Sequence, residues 1–344
     1  MFWLSKTNIT KLDTEFRAYL LHYLLPLMGA TKEACRVTIP VSGVKTSLRL
    51  IEITEPASRY CGAVVKIFPK SEKKRLQQII HIAEFLQKND VPIPKILDLC
   101  DKFDKSGIVF LAEELICGPS ALEIEMTPEL SVLLAQSLRA LHSINKNTTD
   151  VPLRYDLVST PYKKEMLNRV GHRLFGLNRY ADSKSIKYAV PKISAWFEKE
   201  SKSLIGCKSL QLVHDKMHPG NIIFCERRRT FFIIDIETVS PGCALKDLVQ
   251  IYHDVLHEDD ELMRAFKDVY FQEPAPLPAE KAEHHMPFFD AYYHLARASI
   301  NFKRLHKDLK RQNLSGDDIP DSIQHFRDNA HLHVEELFRL IGMR

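Results

Sequence analysis

Three side chains of different chemistry frame what this chain could do. Lys66 lies inside the apolar run AVVKIF, Asn221 closes the segment VHDKMHPGN at 213–221, and Asp235 directly follows FFII. A strand alternates its faces, so Lys66 is aimed away from its apolar neighbours. An acid after four apolar strand residues stands at a strand end, where a ligand can reach it. With an amide from the preceding segment it makes a hard oxygen pair of the kind Mg²⁺ takes beside phosphate oxygens and water. A lysine for phosphates, oxygens for a metal and a group that orients a hydroxyl are the parts phosphoryl transfer needs. Singly, each has a plainer reading: an edge-strand lysine facing water, or a carboxylate capping a turn. The combination carries the chemistry.

The segment 213–221 also crowds His214, Asp215, Lys216 and His218 into one polar loop between apolar runs. Histidines four apart chelate a metal only on a helix, and Pro219-Gly220 argues against one there. His214 and His218 are therefore expected to pack and hydrogen-bond. His284 and His285 are expected to be solvated, and the histidines of HLHVEEL near the end have no metal-site partner in sequence. Phe288, Phe289, Tyr292, Tyr293 and Phe302 fall at mixed helical spacing and are expected in a core.

The elements that must position these groups can be read from periodicity. An amphipathic helix is predicted over 15–30, then strands near 36–41, 45–54 and 61–68 from β-branched runs split by turn residues. Leu76, Ile79, Ile80, Ala83 and Leu86 make a helical stripe over 72–89. VPIPKILDLCD and GIVFLAEEL supply two more strands. Thr127 and Pro128 open a helix as cap and first residue. After QLV, NIIF and FFIIDIE, helices are predicted near 245–256, 259–269, 279–309 and 318–342. The outcome is a small β-rich lobe, residues 1–114, and a larger helical lobe, residues 115–344, joined near 113–120.

Composition narrows the partners. With 344 residues the chain can bury a substantial core, and a net charge of +4 is too small to imply nucleic acid or membrane binding by itself. Seven cysteines without a CxxC pair suit reduced thiols. The start lacks a basic-then-apolar leader and no apolar run reaches membrane-spanning length, so a cytoplasmic protein without a transmembrane segment is expected.

LVHDKMHPGNIIF, then FFIIDIE, then KDL resembles the aminoglycoside phosphotransferase and choline kinase branch of the protein-kinase-like fold, whose pattern is HGDLHPGN, IDWE and a DL pair. The resemblance extends to AVVKIF, VPIPKIL, the linker EELICG (family form E-x-x-x-G) and LAQSLRALHSI, covering roughly 36–256. A looser similarity joins KDLVQIYHDVLHEDDELMRAFKDVYF to bacterial lipopolysaccharide core kinases. The resemblance implies a two-lobed α+β fold with an antiparallel N-lobe sheet. It also implies ATP and Mg²⁺ as cofactors and a hydroxyl acceptor on a small molecule or sugar, with peripheral membrane contact if that sugar is lipid-linked. Lys66 would contact ATP phosphates, and the backbone of Glu113, Glu114 and Leu115 would hold adenine. Asn221 and Asp235 would bind Mg²⁺, with Glu237 and Asp247 supporting the loops. Ser42 and Gly43, in VSGVKTS, would cover phosphates with their N–H groups.

Two departures matter. The family's catalytic Asp stands five residues before the Asn, and here that position is Lys216. Asp215 is one residue early, which on extended backbone turns its side chain to the opposite face. The helix acid that pairs with the strand lysine is also missing, leaving Gln77 or Gln78 as replacements. A weakened kinase with Asp215 and Lys216 at its catalytic centre is one expectation. The other is a pseudokinase, a nucleotide-binding or scaffolding module with a protein partner.

Overall fold

The computed structural model describes residues 6–38, 48–54, 60–103, 107–144, 162–206, 211–312, 314 and 319–343. Ser42 and Gly43 lie outside the described residues. The chain opens with α1 (Lys6–Tyr19), continued by a π-helical turn (Leu20–Leu24) and α2 (Leu25–Met28). The helix starts well before the predicted 15; KTNITKLDT, rich in residues of low helix propensity and without a stripe, gives no sign of it in sequence.

Five strands follow: β1 (Cys35–Thr38), β2 (Leu48–Ile53), β3 (Gly62–Pro69), β4 (Ile96–Cys100) and β5 (Ile108–Glu114), with α3 (Lys73–Lys88) between β3 and β4. They form one antiparallel sheet in the order β1-β2-β3-β5-β4. Alternation divides its faces. Ala63, Val65 and Ile67 of β3, with Phe110 and Ala112 of β5, pack under Phe16, Tyr19, Leu20 and Leu24 of the N-terminal helix. Tyr19 stacks on Phe110 with centroids 4.7 Å apart, and Arg49 of β2 ion-pairs Asp13 at 3.2 Å. The opposite face therefore carries Lys66 of β3 and Leu111 and Glu113 of β5, with Val109 and Leu111 joining the core that α3 enters.

The second lobe is mostly helical. It comprises α4 (Pro128–His142), α5 (Tyr162–Tyr180), α6 (Lys184–Glu200), α7 (Leu245–Asp254), α8 (Asp260–Tyr270), α9 (Ala279–Gln312) and α10 (Asp321–Leu340). Thr127 caps α4 as the sequence suggests, its hydroxyl accepting from Leu130 N at 3.2 Å. Two short ribbons interrupt the helices. β6 (Gln211–Val213) pairs β9 (Ser240–Gly242), and β7 (Ile222–Cys225) pairs β8 (Thr230–Ile233). Phe288, Phe289 and Phe302 are core, as expected. His285 is buried rather than solvated, because the face of α9 that carries Phe288 and Phe289 also carries it inward. Among the described residues no helix is long and apolar enough to cross a membrane.

Candidate active site

The lobes meet where the linker after β5 joins β7. Gly118 has φ +148°, and a Cβ there would stand 1.8 Å from Phe224 O, so only glycine fits this approach. Beyond it Phe224 N donates to Pro119 O at 2.9 Å and Ala121 N to Ile222 O at 2.8 Å. These bonds place the β7–β8 hairpin directly below the sheet.

Hairpin pairing brings the metal-binding candidates to one end. Ile222 pairs Ile233, and Ile234 N donates to Asn221 O at 3.0 Å, so Asn221 and Asp235 leave the ribbon side by side. Asn221 spends its amide N–H on Lys216 O at 2.9 Å, which leaves its amide oxygen without a protein donor among the described residues. Asp235 turns out of the strand in the left-handed region, φ +62°, which ends β8 at Ile233. Its side chain is half exposed, with Oδ1 3.0 Å from Lys66 Nζ. Burial would raise its pKa, but the Lys66 ion pair and hydrogen bond hold it below the usual carboxylate value. One free amide oxygen beside one ionised, half-exposed carboxylate fits the hard donor set of Mg²⁺.

Lys66 does not face bulk water. Its side chain is only 13% exposed and touches Glu237 Oε1 at 2.9 Å and Glu113 Oε2 at 3.2 Å besides Asp235. Burial pulls its pKa down, yet the three carboxylates outweigh that and keep it well above the ordinary lysine value. Neither Gln77 nor Gln78 rebuilds the missing helix acid; both are exposed. α3 instead offers a base, Arg75, whose guanidinium lies 3.6 Å from Glu237 Oε2. The acid comes from the sheet: Leu111 lies opposite Lys66, and Glu113 is the next residue of β5 on that face.

Glu113 therefore serves Lys66 with its side chain. Glu114 N donates to Lys95 O at 2.8 Å and Leu115 N to Gly62 O at 3.0 Å, so these two amides are already committed. The Glu114 carboxylate pairs with Arg228. The next amides, Ile116 and Cys117, have no backbone acceptor among the described residues.

The loop 214–221 is gripped from below by Asp247, in the first turn of α7 and fully buried. His214 N donates to its Oδ2 at 2.6 Å and Asp215 N to its Oδ1 at 3.0 Å, with His142 Nε2 3.2 Å away. His214 ties the loop to the strand before Asp235 through Nε2 and Ile234 O, 2.8 Å apart, while its own carbonyl accepts from Thr238 Oγ1 at 2.7 Å. His218 Nδ1 accepts from Gly220 N at 3.0 Å. Both histidines hold the loop's shape.

Asp215 and Lys216 diverge. Asp215 has φ +69°, at the position where the family pattern HGDLHPGN carries glycine, and its side chain turns inward. Arg169 Nη1 of α5 donates to its Oδ2 at 2.7 Å, and Lys246 Nζ contacts its Oδ1. Burial and the neighbouring Arg169 push the Lys246 pKa down to about 7, against the upward pull of Asp247 and Glu165. Lys216 points the other way. It is exposed, makes no side-chain hydrogen bond or ion pair among the described residues, and its charge helps lower the Asp235 pKa. The sequence had not singled out Arg169 or Lys246; nothing in it tells which face of α5 meets the loop.

Comparison with known proteins gives a consistent result. A family model described as the phosphotransferase enzyme family matches residues 46–285. No curated protein sequence matches the chain. Among solved structures, the chain is similar to a putative aminoglycoside phosphotransferase from Ralstonia eutropha, with 14% identity, TM-score 0.62, and coverage of 95% of this chain and 98% of that one. Choline kinase LicA from Streptococcus pneumoniae gives 14% identity and TM-score 0.58 over 94% and 99%. Spectinomycin phosphotransferase APH(9)-Ia, solved with ADP and spectinomycin, gives 15% and 0.62 over 94% and 98%.

Proposed function

The chain belongs to the phosphotransferase enzyme family, and from that premise we propose that it transfers the γ-phosphoryl group of ATP to a hydroxyl of a small molecule or sugar. The observation that carries this reading is the contact of Lys66 Nζ with Asp235 Oδ1 at 3.0 Å, beside the unpartnered amide oxygen of Asn221. In the proposal, nucleotide binds mainly to residues 1–114 and the acceptor to 115–344.

Lys66 exchanges its contact with Asp235 for phosphate oxygens, while Glu113 and Glu237 keep it aimed. Asn221 and Asp235 would hold Mg²⁺, which supplies counter-charge for the phosphates. The free N–H groups of Ile116 and Cys117, one step beyond the predicted 113–115, are the donors open to the base. That a neighbour in fold was solved with ADP supports the nucleotide class.

Lys216 occupies the place of the general base and cannot accept a proton while charged. Its charge, already felt at Asp235, sits where transferred phosphoryl oxygens gather. Phosphoryl transfer rests mainly on positioning and charge stabilisation, so the cost of the missing base is about 10²–10⁴ in rate rather than the whole reaction. Asp215, clamped by Arg169 and Lys246, acts as a positioning residue. Asp247 is buried on the loop, Glu237 is tied to Lys66 and Asp254 pairs with Arg297, whereas the acids at 258–261 are exposed.

Lys216 in the place of the general base and the missing helix acid favour a second reading, a nucleotide-binding pseudokinase. Thermal denaturation with ATP and Mg²⁺ tests binding: ligand at a hundred times its Kd adds about 2.7 kcal/mol of stability. Transfer of label from [γ-³²P]ATP into a pool of sugars and polyols tests catalysis. Stabilisation without transfer leaves the pseudokinase reading, and neither effect sinks both.

A further inference from the structure

A second cluster of chemistry-bearing side chains lies in the helical lobe, away from Lys66. His253 comes from the last turn of α7, and Asp290 and His294 stand one turn apart on α9, on one face. His253 Nε2 lies 2.6 Å from Asp290 Oδ1, and His294 Nε2 lies 3.7 Å from the same oxygen. All three donor atoms fall within 4.8 Å of one another. We propose that His253, Asp290 and His294 form a zinc site that pins α7 to α9.

The ring nitrogens turned away from the shared point are each partnered. His253 Nδ1 meets Glu258 Oε1 at 2.9 Å, and His294 Nδ1 meets His333 Nδ1 of α10 at 3.0 Å. Metal-bound histidines are oriented in this way, by a carboxylate or other polar group on the distal nitrogen. Tyr293 stacks on His253 with centroids 4.4 Å apart and planes 9° from parallel, which fixes that ring further. Tetrahedral zinc with bonds of about 2.0–2.1 Å sets neighbouring donors about 3.4 Å apart, so the side chains need to shift by less than about 1 Å. Two imidazoles and a carboxylate are a borderline nitrogen–oxygen set, suited to zinc rather than to magnesium or calcium, which take oxygen shells. Three protein donors leave a fourth position for water.

The site has a consequence for the loop. α7 also carries Asp247, which grips His214 and Asp215, and the next residue after His253 is Asp254, paired with Arg297 and with Tyr293 Oη at 2.7 Å. Joining α7 to α9 through a metal therefore stiffens the helix that anchors the catalytic segment.

The full-length chain, stripped with a chelator and dialysed, is titrated with zinc against a chromophoric competitor. Cobalt(II) is substituted in parallel, and circular dichroism monitors the fold. The proposal expects one equivalent of tightly held metal. Asp290→Asn and His294→Gln should each weaken it more than tenfold, and His333→Gln by about tenfold. The cobalt spectrum should show tetrahedral bands without thiolate charge transfer. Absence of saturable zinc binding overturns it, as does affinity unchanged in both ligand variants, or a cobalt–thiolate band that puts the metal on cysteines. If both variants unfold, the wild-type cobalt spectrum alone decides. None of these readouts uses phosphotransfer, so the result is independent of the proposed activity.

Discussion

The Glu113 carboxylate stands 3.2 Å from Lys66 Nζ, and it reaches the lysine from the neighbouring strand rather than from a helix. Two further acids, Glu237 and Asp235, touch the same ammonium, so Lys66 keeps counter-charge when any one is removed. Buried pairs contribute little net stability, because desolvation offsets their attraction. Glu113→Gln is expected to change urea-unfolding stability at neutral pH by no more than about 1 kcal/mol. Its effect should fall on aim: the ATP-induced rise in melting temperature should shrink clearly. An unchanged ATP response would remove Glu113 from the phosphate-binding apparatus.

The same residue sets a pH dependence. Burial raises the Glu113 pKa above its usual 4.5, against the pull of Lys66. The folded chain then holds a proton that the unfolded chain releases, so this group's contribution to stability falls as pH rises from about 4.5 through the folded value. Urea midpoints of wild type and Glu113→Gln, followed from pH 4 upward, should show the wild type losing ground relative to the variant across that window. A difference that grows in favour of the wild type as pH rises would reverse the sign and refute the assignment.

Parts of this arrangement were legible in the residues alone, and the physical reason separates them from the rest. Strand alternation aims Lys66 off its apolar neighbours, and an acid after FFII must leave its strand; both are local properties. Glu113 was legible only as part of the linker, because its pairing with Lys66 depends on which strands adjoin and in what register. Gln77 and Gln78 were reasonable replacements by helical phase, yet the acid came from the sheet. Likewise His333 found its partner His294 on the antiparallel helix α9, 39 residues upstream, which no spacing rule within HLHVEEL reveals. Arg169 escaped notice because a basic helix face offers no sign of the carboxylate it will clamp.

Lys216 gives the sharpest functional test. It sits five residues before Asn221, exposed, with its charge felt at Asp235. Lys216→Asp restores a proton acceptor where the family pattern has one and removes a cation from the place proposed for the phosphates. Turnover is expected to rise by about 10²-fold or more, the usual contribution of a general base. Nucleotide affinity should fall, since a favourable charge is replaced by one that repels phosphate. Steady-state kinetics with varied ATP would show kcat and KM rising together. If turnover disappears instead, Lys216 itself takes part in the transfer, and a mechanism with a carboxylate base does not describe this chain.

Asp247 supports the loop that presents both residues, and its removal should be felt in stability before activity. Its carboxylate accepts from His214 N and Asp215 N and lies 3.2 Å from His142 Nε2, all without solvent. Asp247→Ala leaves two buried backbone donors and an imidazole unsatisfied, a change expected to cost about 3–5 kcal/mol in chemical denaturation. Asp247→Asn keeps one acceptor oxygen but must turn an amide N–H toward one of two donors, for a cost of about 1–3 kcal/mol. Because the loss is concentrated on the loop, amide hydrogen exchange at 214–218 should quicken in Asp247→Asn more than exchange in the five-stranded sheet. Uniform quickening across both would show that Asp247 holds the whole lobe and has no special hold on the 214–221 loop.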